Sequence, residues 1–130
     1  MATVLVVEDE AIVLVLSESI IQHAGYHTIT ASTLAEALAL IDSNIEIDVV
    51  LTDVCLGSEQ EGGFAVGRAA QVKRPGIPVL YTTARALTDG LKALAAEPNG
   101  YLEKPYTDEQ LVGAIASLLR PPVPLFRSVI

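Results

Sequence analysis

The chain has 130 residues, of which 51% are hydrophobic and 5% aromatic. This length and composition suffice for one domain with a core of Val, Leu, Ile and Ala, and they exclude a second domain. A net charge of −8 without any basic stretch argues against nucleic-acid binding and suits a protein that meets a basic partner or a cation. A single cysteine excludes an internal disulfide. The apolar runs are too short to span a bilayer, and no signal peptide follows Met1. The sequence therefore predicts a cytoplasmic protein that is not embedded in a membrane.

Apolar runs and helical patterns alternate along the whole chain. Short runs rich in β-branched residues are typical of buried strands, whereas apolar stripes with a period of 3.6 residues indicate helices. Strands are predicted, in chain order, over residues 3–7, 26–31, 48–52 and 77–82 and within 100–105. Helices are predicted over 10–24, after Thr33, over 64–73 and 86–96, and after Thr107, with a glycine-rich loop at 56–63.

Two of the predicted helices carry the same start signal. Thr33 with Glu36, and Thr107 with Gln110, form the capping-box pattern of a hydroxyl residue followed three positions later by Glu or Gln. The apolar stripes behind these signals are Leu34, Leu38 and Ile41 in one helix and Leu111, Ile115 and Leu118 in the other. The continuous apolar run of the first helix, residues 11–16, is interpreted as core rather than as an interaction surface.

The order of the elements defines the fold class. Five repeats of strand and helix indicate an α/β protein in which a parallel sheet is covered on both faces. Right-handed crossovers then give a flavodoxin-like, doubly wound (βα)5 sandwich with a five-stranded parallel sheet. In such sheets, ligands bind outside the carboxyl ends of the strands.

Charged and hydroxyl side chains stand where the predicted strands end: Glu8 and Asp9, then Asp53, Thr83 and Lys104. Each has an ordinary alternative, because the first acid pair could cap a helix, Asp53 could begin a turn, and Lys104 could lie in a surface turn. Thr83 could simply be a β-branched strand end. Since the carboxyl ends of parallel strands meet at one edge, we expect these groups to converge there.

The chemistry of that combination favours phosphoryl transfer. Three close carboxylates stay ionised together only when positive charge offsets them. Mg²⁺ prefers carboxylate, carbonyl and water oxygens, and Lys104 would add a second, fixed positive charge. A carboxylate beside a metal and a lysine can attack phosphorus and form an acyl phosphate.

The pattern resembles the receiver domain of two-component response regulators over nearly the whole chain. The segments that carry the resemblance are "VVEDE", "LTDV", "TTA" and "YLEKP". The resemblance implies that Asp53 is the phosphoacceptor and that Glu8 and Asp9 are the acids that hold Mg²⁺. It also implies that the backbone carbonyl of Cys55 completes the metal site.

The same resemblance assigns three further roles. Thr83 is the hydroxyl that follows the phosphoryl group, Lys104 is the lysine of the site, and Tyr101 is the rotating aromatic switch. The chain departs from the family pattern at Leu56–Gly57, where Met-Pro or Leu-Pro is common, and its loop to Gly62–Gly63 is about one or two residues longer. Cys55 and Arg85 occupy the two variable positions that flank the phosphoryl site and are expected to tune hydrolysis of the acyl phosphate.

The sequence therefore predicts a signalling switch rather than an enzyme. Residues 1–120 are expected to form the receiver domain and 121–130 a short tail, which predicts a stand-alone receiver. A histidine kinase or a histidine phosphotransfer protein is the expected phosphodonor, and the output is expected to be a changed contact with a downstream protein that the sequence does not identify.

Four alternatives remain. The chain could be a degenerate receiver that acts as an unphosphorylated binding module, or a receiver cut from a larger regulator. A phosphohydrolase that uses an aspartyl phosphate would typically need a second acid two residues after the nucleophile, where this chain has Cys55. A flavin-binding protein of the same fold would need a phosphate loop rich in Ser and Thr after the first strand, which is missing.

Overall fold

Strands and helices alternate in the computed structural model, which describes residues 1–58, 61–84, 88–93 and 98–119. The strands of this described part are β1 (Thr3–Val7), β2 (His27–Ala31), β3 (Val49–Asp53), β4 (Val79–Thr83) and β5 (Asn99–Glu103). Its helices are α1 (Ala11–His23), α2 (Leu34–Asp42), α3 (Gly62–Lys73), α4 (Asp89–Lys92) and α5 (Asp108–Leu119).

All five strands pair in parallel in the order β2-β1-β3-β4-β5. The predicted flavodoxin-like, doubly wound sheet is therefore confirmed. The chain moves outward from β1 to β2 and then crosses back to place β3 on the other side of β1. The strand order thus reverses between β1 and β3, and their carboxyl ends form the crevice in which such sheets bind ligands.

The core lies on both faces of this sheet. One cluster of buried side chains joins the strands to α2 and α3, and a second joins them to α1 and α5. Val4, Leu5, Val49 and Val50 are fully buried in the two central strands, as expected for a sheet covered on both faces. Burying each such side chain contributes about 1.5–3 kcal/mol, so the central strands are firmly held.

The two capping-box predictions are confirmed in different forms. The backbone N–H of Gln110 donates to Thr107 Oγ1 (3.1 Å), and the backbone N–H of Thr107 donates to Gln110 Oε1 (2.8 Å), which is the complete reciprocal pair. In α2, Thr33 accepts from the Glu36 N–H (3.1 Å), but the Glu36 carboxylate accepts from the N–H and hydroxyl of Ser32 instead. The backbone hydrogen bond from Ser32 lowers the pKa of Glu36 below its ordinary value.

Three predictions about boundaries and faces need correction. Helix α3 begins at Gly62 rather than 64, so the paired glycines belong to the helix and not to the loop. Strand β3 spans Val49–Asp53 rather than 48–52, and Asp53 ends it as the sequence suggested. In α2, Leu38 is partly exposed (36%) while Ala37 and Ile41, which lie four residues apart on one face of the helix, are buried against the sheet.

The interpretation of the α1 apolar run as core holds only in part, since Leu14 packs against the core but three other residues of the run do not. Ile12, Val15 and Leu16 are 76%, 61% and 58% exposed, whereas Ser17 and Ile21 face the sheet. A run of consecutive apolar residues covers more of the helix circumference than one sheet can bury, so part of it must face solvent.

Some predictions concern residues outside the described part of the chain. Arg85, much of the predicted helix 86–96 and the tail 121–130 lie there. Among the residues that are described, no helix combines the length and the apolar character needed to cross a bilayer.

Candidate functional site

Three carboxylates meet at the carboxyl edge of the sheet, as the sequence predicted. Glu8 follows β1 directly, Asp9 is next, and Asp53 ends the adjacent strand β3. One carboxylate oxygen from each of the three lies within 4.8 Å of the others. The parallel register of β1 and β3 therefore brings together acids that lie about 45 residues apart in the chain.

Lys104 joins these acids from the far side of the site. Its backbone N–H donates to the carbonyl of Thr83 (2.7 Å), which continues the β4–β5 pairing and fixes where the lysine leaves the sheet. Its Nζ donates to Glu8 Oε1 (2.9 Å) and to Asp53 Oδ2 (3.1 Å). The lysine side chain is 20% exposed, so the alternative that it lies in a surface turn is not supported.

Burial and neighbouring charges shift the pKa values of Glu8 and Lys104 in opposite directions. Desolvation raises the pKa of Glu8, which is 4% exposed, and the hydrogen bond from Lys104 only partly offsets this rise. Burial by itself lowers the pKa of Lys104, but the hydrogen bond to Glu8 and the charge of Asp53 outweigh it and raise that pKa to about 12. The charged form of the Lys104 ammonium and the charged forms of the carboxylates therefore stabilise one another.

Asp9 is placed differently from its neighbour. It is exposed, and its Oδ2 accepts a hydrogen bond from the N–H of Gly57 (3.0 Å) in the loop that leaves β3. The side chain of Glu10, at the N-cap of α1, makes no capping hydrogen bond, and of the acid pair only Glu8 accepts from the Glu10 N–H (3.3 Å), so capping does not explain Asp9. The oxygen of Asp9 instead faces the same site as Glu8 and Asp53.

The donor set fits a hard divalent cation. Three ionised carboxylates and one ammonium leave a formal charge of −2, which a single divalent ion would balance. Carboxylate oxygens this close together are ligands that Mg²⁺ and Ca²⁺ favour, while the absence of thiolate or imidazole in the cluster disfavours softer metals.

Thr83 and Tyr101 lie on the next two strands of the sheet, β4 and β5. Thr83 ends β4 and is 7% exposed. Tyr101 is half-buried, and its hydroxyl donates to the carbonyl of Lys92 in α4 (3.1 Å). The Lys92 ammonium lies 5.6 Å from the centre of the Tyr101 ring. The ring thus connects the sheet edge with α4.

Cys55, predicted to offer its backbone carbonyl, follows Asp53 by two positions and has an exposed side chain. The residues on either side, Val54 and Leu56, are buried, so the side chain of Cys55 faces outward between two residues that anchor the start of the loop.

Gly63 is a site residue that sequence reasoning missed. Its N–H donates to the carbonyl of Val54 (2.8 Å). A side-chain carbon at Gly63 would collide with the carbonyl oxygen of Asp53 and would lie 2.7 Å from the Cα atom of Val54. Only glycine lets α3 begin this close to the end of β3, and the paired glycines in the sequence were the available signal.

Fold and site together define a doubly wound α/β protein with three acids and a lysine at the carboxyl edge of its sheet. The family model of the response regulator receiver domain matches residues 4–116, and the chain belongs to that family. The resemblance drawn from the sequence is confirmed. The boundary at residue 120 stays a prediction.

Known proteins support the same assignment. The chain is 33% identical over 119 residues to the probable transcriptional regulatory protein TcrX of Mycobacterium tuberculosis, a match that covers 91% of this chain and 50% of TcrX. It is 26% identical over 120 residues to the response regulator SaeR of Staphylococcus aureus, covering 92% and 51%. The crystal structure of a response regulator receiver protein from Sinorhizobium medicae superimposes with a TM-score of 0.83 at 32% identity, covering 91% and 94% of the two chains. The chain spans about half the length of the curated relatives that it matches.

Proposed function

We propose that this receiver domain is a phosphoacceptor switch of a two-component phosphorelay. Asp53 accepts the phosphoryl group, and Glu8, Asp9, Asp53 and the backbone carbonyl of Cys55 hold Mg²⁺. The observation that carries the proposal is the convergence of three carboxylates within 4.8 Å, two of which bind one lysine ammonium.

The reaction moves a phosphoryl group from histidine to aspartate. A carboxylate oxygen of Asp53 attacks phosphorus, the P–N bond of the phosphohistidine breaks, and the imidazole leaves with the bonding electron pair. Bound Mg²⁺ supplies charge neutralisation for the phosphoryl oxygens. Lys104 already contacts Asp53 and can turn its ammonium toward a phosphoryl oxygen without leaving the site.

The output is a changed protein surface and not a released product, so the protein acts as a switch rather than an enzyme acting on other molecules. Asp53 pairs with Thr82 in the register of β3 with β4, so the next residue, Thr83, stands at the same edge of the sheet and supplies the hydroxyl that hydrogen-bonds the phosphoryl group on Asp53. Tyr101 then follows Thr83 and alters the surface around α4, β5 and α5. A downstream protein reads that surface.

The phosphodonor docks, in this proposal, on the exposed apolar face of α1, formed by Ile12, Val15 and Leu16. Helix α1 begins two residues after Asp9, so a protein seated on this face is close enough to the acid cluster to present a histidine to Asp53. A groove of about 790 Å³ continues the face toward Lys104 and is lined by Val13, Leu16, Ser17, Pro105 and Tyr106 among others. The occupant is therefore a histidine kinase or a histidine phosphotransfer protein with an apolar contact surface.

Labelling with acetyl phosphate and Mg²⁺ tests the acceptor. The wild-type chain should gain one phosphoryl group by mass spectrometry, and Asp53→Asn and a chelated sample should gain none. Asp42→Asn is the matched control, because Asp42 is an exposed acid paired with Lys73 at the other end of α2, and it should label normally. Labelling of Asp53→Asn, or none of the wild type by any donor, would indicate another acceptor or an unphosphorylated binding module.

Phosphotransfer profiling with purified histidine kinases tests the docking face. Leu16→Glu should slow transfer from the kinase that labels the wild type while leaving labelling by acetyl phosphate unchanged. Val72→Glu is the control, since Val72 is equally apolar and 78% exposed but lies on α3. Equal slowing in both variants, or in neither, would contradict docking on α1.

The lengths of the curated relatives favour a second interpretation, in which the output comes from a further part of a longer protein. Because TcrX and SaeR are about twice as long as the matched segment, this receiver is also a candidate for the receiver part of a larger regulator. The mass of the native protein detected in cell extract distinguishes a chain of this size from a longer one.

A further inference from the structure

Tyr81 is a large aromatic residue in the interior of β4 that none of the proposed roles uses. It is fully buried, and it stands two positions before Thr83 on the same strand. Side chains alternate along a strand, so Tyr81 and Thr83 leave β4 on the same face. The register pairs Tyr81 directly with Tyr101 on β5.

The Tyr81 ring is held on its inner sides by α3. The ring of Phe64 lies 5.0 Å away between centroids, at 47°. A side-chain carbon at Gly67 would collide with the Tyr81 hydroxyl oxygen and would lie 2.9 Å from the ring carbon that bears it. The bare backbone of Gly67 therefore makes the space that the phenol fills, and the ring cannot shift inward.

The Tyr101 ring lies on the open side of Tyr81. The two rings are stacked, with centroids 5.7 Å apart and planes 24° from parallel. Tyr101 is only half-buried, and its hydroxyl and ring face both contact Lys92 of α4. A fixed inner ring thus supports an outer ring that connects to a surface helix.

We propose that Tyr81 is a positioning residue that sets the resting orientation of Tyr101 and, through Lys92, of α4. The proposal rests on the proposed function, in which Tyr101 responds to phosphorylation of Asp53. An offset aromatic pair of this kind favours the stacked arrangement by about two- to ten-fold. Tyr81 therefore determines how much of the resting population holds Tyr101 in place before any phosphoryl group arrives.

The chemical reactivity of the Tyr101 ring reports how much of the population holds Tyr101 stacked on Tyr81. The full chain has four tyrosines, so nitration by tetranitromethane can be followed at Tyr101 by peptide mass spectrometry, with Tyr26 and Tyr106 as internal references. In Tyr81→Leu, Tyr101 should react about two- to ten-fold faster relative to the references. In Tyr81→Phe, which retains the stacked ring, the relative rate should stay at the wild-type value.

A control separates positioning from general loosening of the core. Leu80 is equally buried on the same strand but faces the opposite cluster, so Leu80→Ala should leave the relative rate of Tyr101 unchanged. Tyr81→Met, whose unbranched side chain adapts better to an irregular space, replaces Tyr81→Leu if the latter does not fold. An unchanged rate after loss of the ring, or an equal rise in Leu80→Ala, would overturn the proposal.

Labelling by acetyl phosphate on the same samples distinguishes failure of this inference from failure of the proposed function. Tyr81→Leu should label at Asp53 as the wild type does, while the change in Tyr101 reactivity that labelling causes should become smaller. If Asp53 labels normally and Tyr101 reactivity is the same in both proteins, only the positioning role fails. If no protein labels at Asp53, the proposed function fails, and with it the regulatory reading of the tyrosine pair.

Discussion

Replacing Lys104 by Met removes the positive charge that Glu8 and Asp53 share and keeps most of the apolar stem of the side chain. The two carboxylates are only 5% and 11% exposed, so water cannot replace the lost ammonium well. In the absence of a divalent cation, the folded state of Lys104→Met should therefore be less stable than that of the wild type.

The pKa of Lys104 gives the size of this effect. A pKa of about 12 against an ordinary 10.5 is a difference of about 1.5, and at 1.36 kcal/mol for each pKa unit the ion pairs, net of the burial of Lys104, stabilise the folded state by about 2 kcal/mol. The loss should depend on pH, because removing the lysine raises the pKa of Glu8 further above its ordinary 4.5. An acid with a raised pKa in the folded state costs stability at high pH, so the deficit should be largest near neutral pH and shrink as pH falls toward 4.5.

The loss of stability in Lys104→Met is measured by urea unfolding in EDTA, at neutral pH and again near the ordinary pKa of Glu8. Adding Mg²⁺ should raise the midpoint more in Lys104→Met than in the wild type, since the ion then provides the missing positive charge. Lys73→Met is the matched control, because Lys73 forms an exposed ion pair with Asp42 and its loss should have no measurable effect. Equal stability of Lys104→Met and wild type in EDTA at neutral pH would refute the argument that the buried acids need this ammonium.

Three further outcomes are expected. Gly67→Ala should lower the free energy of unfolding by about 1–3 kcal/mol, because the new methyl group collides with Tyr81. Gly113→Ala on α5 should raise it by about 0.5–1 kcal/mol, because the space around Gly113 is open and Ala favours a helix. Denaturant unfolding measures both changes. Thr107→Ala should cost about 1 kcal/mol through loss of the N-cap of α5, visible in the same assay, and an unchanged midpoint would contradict the cap. In alkaline unfolding, the wild type should lose the stability supplied by Lys104 as pH rises from 10.5 through about 12, a loss that Lys104→Met should not show.

The sequence by itself determined the alternation of strands and helices, the two helix starts at Thr33 and Thr107, and which residues end each strand. These features are local, because side-chain period and capping depend on residues within one or two turns of each other. That the sheet is parallel and doubly wound followed from general rules of chain connection. For that reason, the convergence of Glu8, Asp53 and Lys104 could be predicted before any coordinates.

Only the tertiary structure decided the contacts that depend on register and on distance in the chain. Lys104 reaches Glu8 and Asp53 across 96 and 51 residues, and the hydrogen-bond pattern of β4 with β5 fixes that reach. The exposed face of α1 and the stacking of Tyr81 on Tyr101 could not be read from apolar content alone. Burial is decided by which neighbour occupies the space beside a side chain, and that neighbour, such as the bare backbone of Gly67, belongs to another element of the fold.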